Sequence, residues 1–171
     1  MVAKMNDKGF TLIELLIAIA LGAILLGIAI PGLSSLVSST ALDTEANTIS
    51  NTLRSARNHA IDLNQRIVVC FTDSTNNCKS NGFDHLFIFN DNNNNGSYDS
   101  ASEKIISSGS VFDHSVNITP NAASFIFSSD GSISANSTVT VCHHDQNIST
   151  KGKTVTVALS GRTTISDNNC S

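Results

Sequence analysis

The chain has 171 residues, with 10 Lys or Arg against 14 Asp or Glu and a net charge of −4. Only 5% are aromatic and there is no tryptophan, while Asn, Ser and Thr abound. A mildly acidic chain lacks the global positive field that draws nucleic acid. With the apolar N-terminal segment set aside, about 140 residues remain, enough for one core.

In chain order, residues 1–9 form a short polar leader that carries Lys4 and Lys8 and ends in Gly9. Phe10–Ile30 follows, 21 predominantly apolar residues with a single charge, Glu14, and Pro31 closes the run. As a helix this run extends roughly 31 Å, the thickness of a bilayer's hydrocarbon. It is longer than the roughly 7–15-residue core of a secretory signal, and no A-x-A-like site follows it. A transmembrane helix is therefore expected over 10–31, and the resemblance described below makes it the assembly helix as well. Lys4 and Lys8 place the leader in the cytoplasm and everything after Pro31 across the inner membrane, in a single pass. Loss of the leader removes Lys4, Lys8 and Asp7 and leaves 8 basic and 13 acidic residues, net −5. A carboxylate in hydrocarbon costs on the order of a few kcal/mol, so Glu14 calls for a partner. Gly22 and Gly27 would let neighbouring helices approach closely, although glycine is also tolerated in membrane helices for its own sake.

Beyond Pro31, Leu42, Ala46, Ile49, Leu53, Ala56, Ala60 and Leu63 recur at alternating steps of four and three. That is one apolar stripe on a helix, with Asp43, Glu45, Arg54, Arg57 and Asp62 on the other faces. One helix is expected from Phe10 to Leu63, bent or loosened at Pro31, with 32–65 as its amphipathic part.

From Arg66 the period changes. Ile67–Phe71, Leu86–Asn90, Lys104–Ser107, Val116–Thr119, Ser124–Phe127, Val139–His143, Thr154–Leu159 and Thr163–Ser166 read as short strands bounded by Asn, Asp, Gly or Ser. Val155, Val157 and Leu159 alternate with Thr154, Thr156 and Ala158 as on a half-buried strand, and Ser128–Gly131 reads as a hairpin turn. The expected fold is α+β: a long N-terminal helix on two small antiparallel sheets, with 66–171 as the exported β-rich domain.

Four cysteines fit an oxidising compartment. Three pairings are open; Cys70–Cys78, closing a short polar loop, and Cys142–Cys170, tying the tail to a strand, are favoured. A metal site on Cys142, His143 and His144 is disfavoured because adjacent strand residues point to opposite faces. Asp91, Asn93, Asn95 and Asp99, with Gly96 at the turn, follow the spacing of a calcium loop. The twelfth position is Ser102 and not Glu, so any such site would be weak, and an Asn/Gly-rich hairpin loop is the alternative. No other cofactor is indicated. Lys151, Lys153 and Arg162 lie close in sequence, either as a cationic surface or as ordinary charges at a strand end. There is no G-x-S-x-G, P-loop, H-E-x-x-H or C-x-x-C, so no enzymatic activity is expected.

Lys8-Gly9, Phe10-Thr11-Leu12-Ile13-Glu14 and Pro31 together resemble the N-terminus of type IV pilins and type II secretion pseudopilins. The turn Phe127-Ser128-Ser129-Asp130-Gly131 and the late segment Val155-Thr156-Val157…Gly161-Arg162…Cys170 resemble the GspH/FimT branch of that superfamily. The resemblance implies cleavage by a prepilin peptidase between Gly9 and Phe10, N-methylation of Phe10, and pairing of Glu14 with the free amine at residue 10 of a neighbouring subunit. It implies other pilins or pseudopilins as partners, in a type IV pilus or a type II secretion pseudopilus. In FimT-type proteins a Gly-Arg-x-Arg motif contributes to DNA binding in natural transformation. Here it reads Gly161-Arg162-Thr163-Thr164, without the second arginine, and DNA capture stands as the alternative function.

Overall fold

The computed structural model describes residues 10–144 and 150–170, and the side chains of all of these except 26–38. The leader therefore lies outside the described residues. The chain divides into two compact units, Met1–Val37 and Ser38–Ser171.

A single helix, α1, runs over Leu12–Leu63 and includes Pro31. It ends where Asn64 takes a left-handed conformation (φ 51°). The Gln65 N–H then bonds the Ala60 carbonyl at 3.2 Å, closing the last turn as an asparagine C-cap does. In the second unit the stripe Leu42, Ala46, Ile49, Leu53, Ala56 and Ala60 is buried, as its spacing requires.

Eight strands follow: β1 (Ile67–Thr72), β2 (His85–Asn90), β3 (Ile105–Ser108), β4 (Val116–Pro120), β5 (Ser124–Phe127), β6 (Ser137–His143), β7 (Lys151–Val157) and β8 (Thr163–Asn169). They form two four-stranded antiparallel sheets, ordered β3-β2-β1-β5 and β4-β6-β7-β8. The inner faces, with Ile67, Val69, Phe71 and Ile88 from one sheet and Val139, Val141, Val155 and Val157 from the other, share one apolar core with the helix stripe. Each such side chain contributes roughly 1.5–3 kcal/mol on burial.

β1 is buried along its whole length, which an antiparallel strand with one wet face would not be. Its outer side chains, Val68 and Cys70, join Phe87 and Phe89 in a second cluster, against which Cys78, Tyr98 and Ile126 pack. Tyr98 lies edge-on to both phenylalanines, with centroids 5.4 Å apart. The continuous apolar run of β1 is thus explained by connections that fold back over the first sheet.

Two expectations are corrected here. The turn at Ser128–Gly131 forms, with the Gly131 N–H bonded to the Ser128 carbonyl at 2.8 Å. It does not make a hairpin, because after one bridge, Phe127↔Ile133, the chain leaves for the other sheet. β7 ends at Val157, and Leu159 is exposed in the turn that follows; its carbonyl accepts the Ile133 N–H at 3.0 Å.

Cys70–Cys78 and Cys142–Cys170 are disulfide-bonded. The second bond requires a glycine beside it. A Cβ on Gly152, opposite Cys142 in the β6–β7 register, would lie 2.3 Å from Cys170 Sγ and 2.7 Å from the Val141 carbonyl oxygen. Gly152→Ala is therefore expected to lower the unfolding free energy by about 1–3 kcal/mol, the usual cost of overpacking. Urea denaturation followed by circular dichroism checks this, and unchanged stability would contradict the packing around this disulfide.

Candidate functional site

The first unit begins with a local device. Thr11 precedes the helix, and its backbone N–H and its hydroxyl each donate to Glu14 Oε2 at 3.0 Å. The Glu14 N–H in turn donates to Thr11 Oγ1 at 3.4 Å. This is a capping box, which satisfies helix-end donors reciprocally. The T-x-x-E spacing of Thr11 and Glu14 is the local sequence signal of this cap, which the reading of Glu14 as a partner-seeking charge did not include. Around it the apolar side chains are exposed: Phe10 at 89%, and Leu12, Leu16, Leu21 and Leu25 each above half. A Cβ on Gly22 would meet nothing within 4 Å, so packing within the chain does not demand this glycine. Among the described residues no helix is long and apolar enough to cross a membrane. The apolar run continues over residues 26–30, and Gly27 and Pro31 also lie where side chains are outside the described set.

In the second unit, the cations grouped by sequence do not come together. Lys151 pairs with Asn169 at one end of the β7–β8 hairpin, and Val157 with Thr163 at the other. Six residues of strand, roughly 20 Å at about 3.3 Å each, separate Lys151 from the end that carries Arg162. Lys153 Nζ lies 2.8 Å from Asp167 Oδ1 and 3.0 Å from Asp43 Oδ1. Hydrogen bonding to Asp167, then to Asp43, raises the Lys153 pKa. The same contact with Lys153 lowers that of Asp167.

Arg162 instead shares a groove of about 380 Å³ with Arg54, Arg57, Asn58, Gly161 and Thr163. The helix supplies two arginines three residues apart, hence on neighbouring positions of one face. Arg54 Nη2 donates to the Thr163 carbonyl at 3.4 Å, and Arg57 Nε to the Gly131 carbonyl at 3.2 Å. Two left-handed glycines enclose Arg57. A Cβ on Gly161 (φ +75°) would sit 1.9 Å from the Gly131 carbonyl oxygen and 2.7 Å from Arg57 Nε. One on Gly131 (φ +77°) would sit 2.7 Å from Ile61 Cδ1 and 3.2 Å from Arg57 Cγ. The two turn glycines singled out in the sequence thus meet on the helix, which is a packing reason for both. Arg54 and Arg57 were read only as the polar side of the helix, since nothing local ties them to a residue more than a hundred positions away.

Residues 4–30 match the prokaryotic N-terminal methylation motif, and residues 45–161 match the family type II transport protein GspH. The chain belongs to the GspH family of minor pilins and pseudopilins. Two solved structures share its fold. One is the type IV minor pilin FimU of Pseudomonas aeruginosa, with TM-score 0.55 and 15% identity over 77% of this chain and 92% of that one. The other is the minor pseudopilin EpsH from the Type 2 Secretion System of Vibrio cholerae, with TM-score 0.52 and 13% identity over 73% and 95%. Among curated protein sequences none matches significantly.

The GspH match takes in Arg54, Arg57, Gly131 and Gly161, and stops short of Arg162 and Thr163. It also spans the loop with calcium-like spacing. In this GspH-family chain Asp91 is 3% exposed, and its carboxylate accepts the N–H groups of Asn95 and Gly96, each at 3.0 Å. Arg66 Nε lies 2.9 Å from Asp91 Oδ2 as a charge contact without hydrogen-bond alignment. Asn93 and Asn95 turn their oxygens to the N–H groups of Asn95 and Ser97, and Asp99 to that of Ala101. Glu103, also buried, accepts from Asn92 and Asp99. A cation at Asp91 would have to displace a guanidinium. Among the described residues no group of three or more His, Cys, Asp or Glu is placed to hold a metal ion. Cys142 is in a disulfide, and His143 is buried while His144 is exposed. Asp91→Ala leaves the Gly96 N–H without its acceptor, takes one of two acceptors from the Asn95 N–H and removes the Arg66 charge contact, and is expected to cost about 1–3 kcal/mol. Exchange of millimolar calcium for chelator is expected to leave the wild-type melting temperature unchanged, and a calcium-dependent rise that Asp91→Ala abolishes would contradict this account of the loop.

Proposed function

We propose that this chain is a filament subunit, cut after Gly9 and methylated at Phe10, that enters or primes a type IV pilus or a type II secretion pseudopilus. Before assembly the inner membrane holds it in a single pass, with the N-terminus cytoplasmic and the second unit periplasmic; the prepilin peptidase is its processing enzyme. The observation that carries this reading is the methylation motif over residues 4–30 together with the apolar side chains that Phe10–Leu25 leave without cover in the lone chain. Such side chains are covered by lipid before assembly and by sibling helices after it. Glu14 then exchanges its bonds to Thr11 for the amine of a neighbour's residue 10. That pairing neutralises two charges which would be costly apart in a medium of low dielectric.

DNA capture has less support. Lys153 is engaged by two aspartates, Lys151 lies at the far end of the hairpin from Arg162, and position 164 is threonine. The phosphate-dependent part of DNA affinity grows with the number of free cations.

Glu14→Val in the native host tests the assembly reading. Expression and membrane insertion are expected to persist, and the amount recovered in sheared filaments or in the pseudopilus fraction to fall by about tenfold or more, as for an interaction worth over 1.4 kcal/mol. Wild-type recovery of the variant would count against the role given to Glu14.

A further inference from the structure

We propose that the groove of Arg54, Arg57 and Arg162 receives a carboxylate-bearing segment of a neighbouring pilin-type subunit. This rests on the filament reading above and assigns that reading a second contact, in the globular unit.

Three of the chain's four arginines line this one groove, and the fourth, Arg66, is paired with Asp91. Guanidinium groups recognise carboxylates in a planar, two-pronged manner that lysine cannot reproduce. Among the described residues none of the three has a carboxylate within ion-pair distance, and the Arg162 side chain makes no hydrogen bond. Asp130, next to the enclosing glycine, directs its carboxylate to the N–H and hydroxyl of Ser132. Arg57 is held by the Gly131 carbonyl through Nε alone, which fixes the side chain and leaves its two terminal nitrogens to donate. Thr163 lines the same groove, is 6% exposed, and its hydroxyl is buried without a hydrogen-bond partner.

The surroundings favour a protein over a polyanion. Ile61 (44% exposed), which a side chain at Gly131 would strike, and Leu159 (54% exposed), in the turn with Gly161, present apolar surface beside the arginines. Arginine is among the residue types enriched at protein interfaces, and here it is flanked by exposed apolar side chains. A long nucleic acid would meet a chain of net charge −4 on either side of a three-cation groove.

The test is site-specific photocrosslinking in the native host, with a benzophenone side chain at position 58, an exposed residue of the groove. The expected product is a conjugate with an acidic segment of a pilin-family subunit, identified by mass spectrometry of the filament fraction. Arg162→Glu, whose side chain supports no contact within the chain, is expected to reduce that product by about tenfold at unchanged melting temperature. Arg54→Lys with Arg162→Lys, which keeps charge and loses the planar fork, is expected to fall in between. A product unaffected by charge reversal, a product with DNA, or none in cells whose filaments contain the wild-type chain would overturn the proposal. Absence of the wild-type chain from filaments would instead remove the assembly reading and this proposal with it.

Discussion

The burial of one helical stripe between two sheets is the constraint on which the globular unit depends. Leu42, Ala46, Ile49, Leu53, Ala56 and Ala60 are buried in one cluster with side chains from the inner faces of both sheets. The two sheets share no strand. A hydrogen bond between the segments that follow β5 and β7, from the Ile133 N–H to the Leu159 carbonyl, lies close in the chain to Gly131 and Gly161, which enclose Arg57. Removing the stripe would leave neither sheet with a covered inner face, and an uncovered antiparallel sheet of this size has little independent stability.

The same helix carries an opposite instruction in its first unit. From Phe10 to Leu25 its large apolar side chains are exposed, and among the described residues its acid is held by Thr11. In the globular unit the core is closed, the cysteines are bonded, and the acidic loop is held by its own N–H groups and Arg66. In the proposed reading the apolar leading segment and the arginine groove are the two surfaces that meet a partner subunit. That division is why the chemistry done on this chain is confined to its N-terminus in the proposed function, while its body serves contact.

Periodicity made most of the fold legible. The steps of four and three from Leu42 to Ala60 located the buried face, and the eight short β-rich runs became the eight strands, because each was bounded by turn-forming residues. What escaped was non-local. Ser128–Gly131 has the chemistry of a hairpin turn, but the pairing partner of the next strand lies in another sheet, which no local signal specifies. Leu159 continued an alternating pattern that the turn at Gly161 cuts short. Lys151, Lys153 and Arg162 looked like a cluster because they are close in sequence, whereas a hairpin carries its ends far apart. Arg54 and Arg57 joined Arg162 only through the sheet packing on the helix. The T-x-x-E cap at Thr11 is local and carries its own signal, which is independent of the cost of a carboxylate in lipid.

The central claim is that a processed apolar helix, beginning at Phe10, is the assembly element of a filament subunit. The intact mass of the protein recovered from filaments or pseudopili of its native host tests this most directly. The account predicts a chain lacking the nine leader residues, carrying one methyl group on Phe10 and two disulfides. A chain that retains Met1 and bears no methyl group, found only in the membrane and never in the filament fraction, would contradict it.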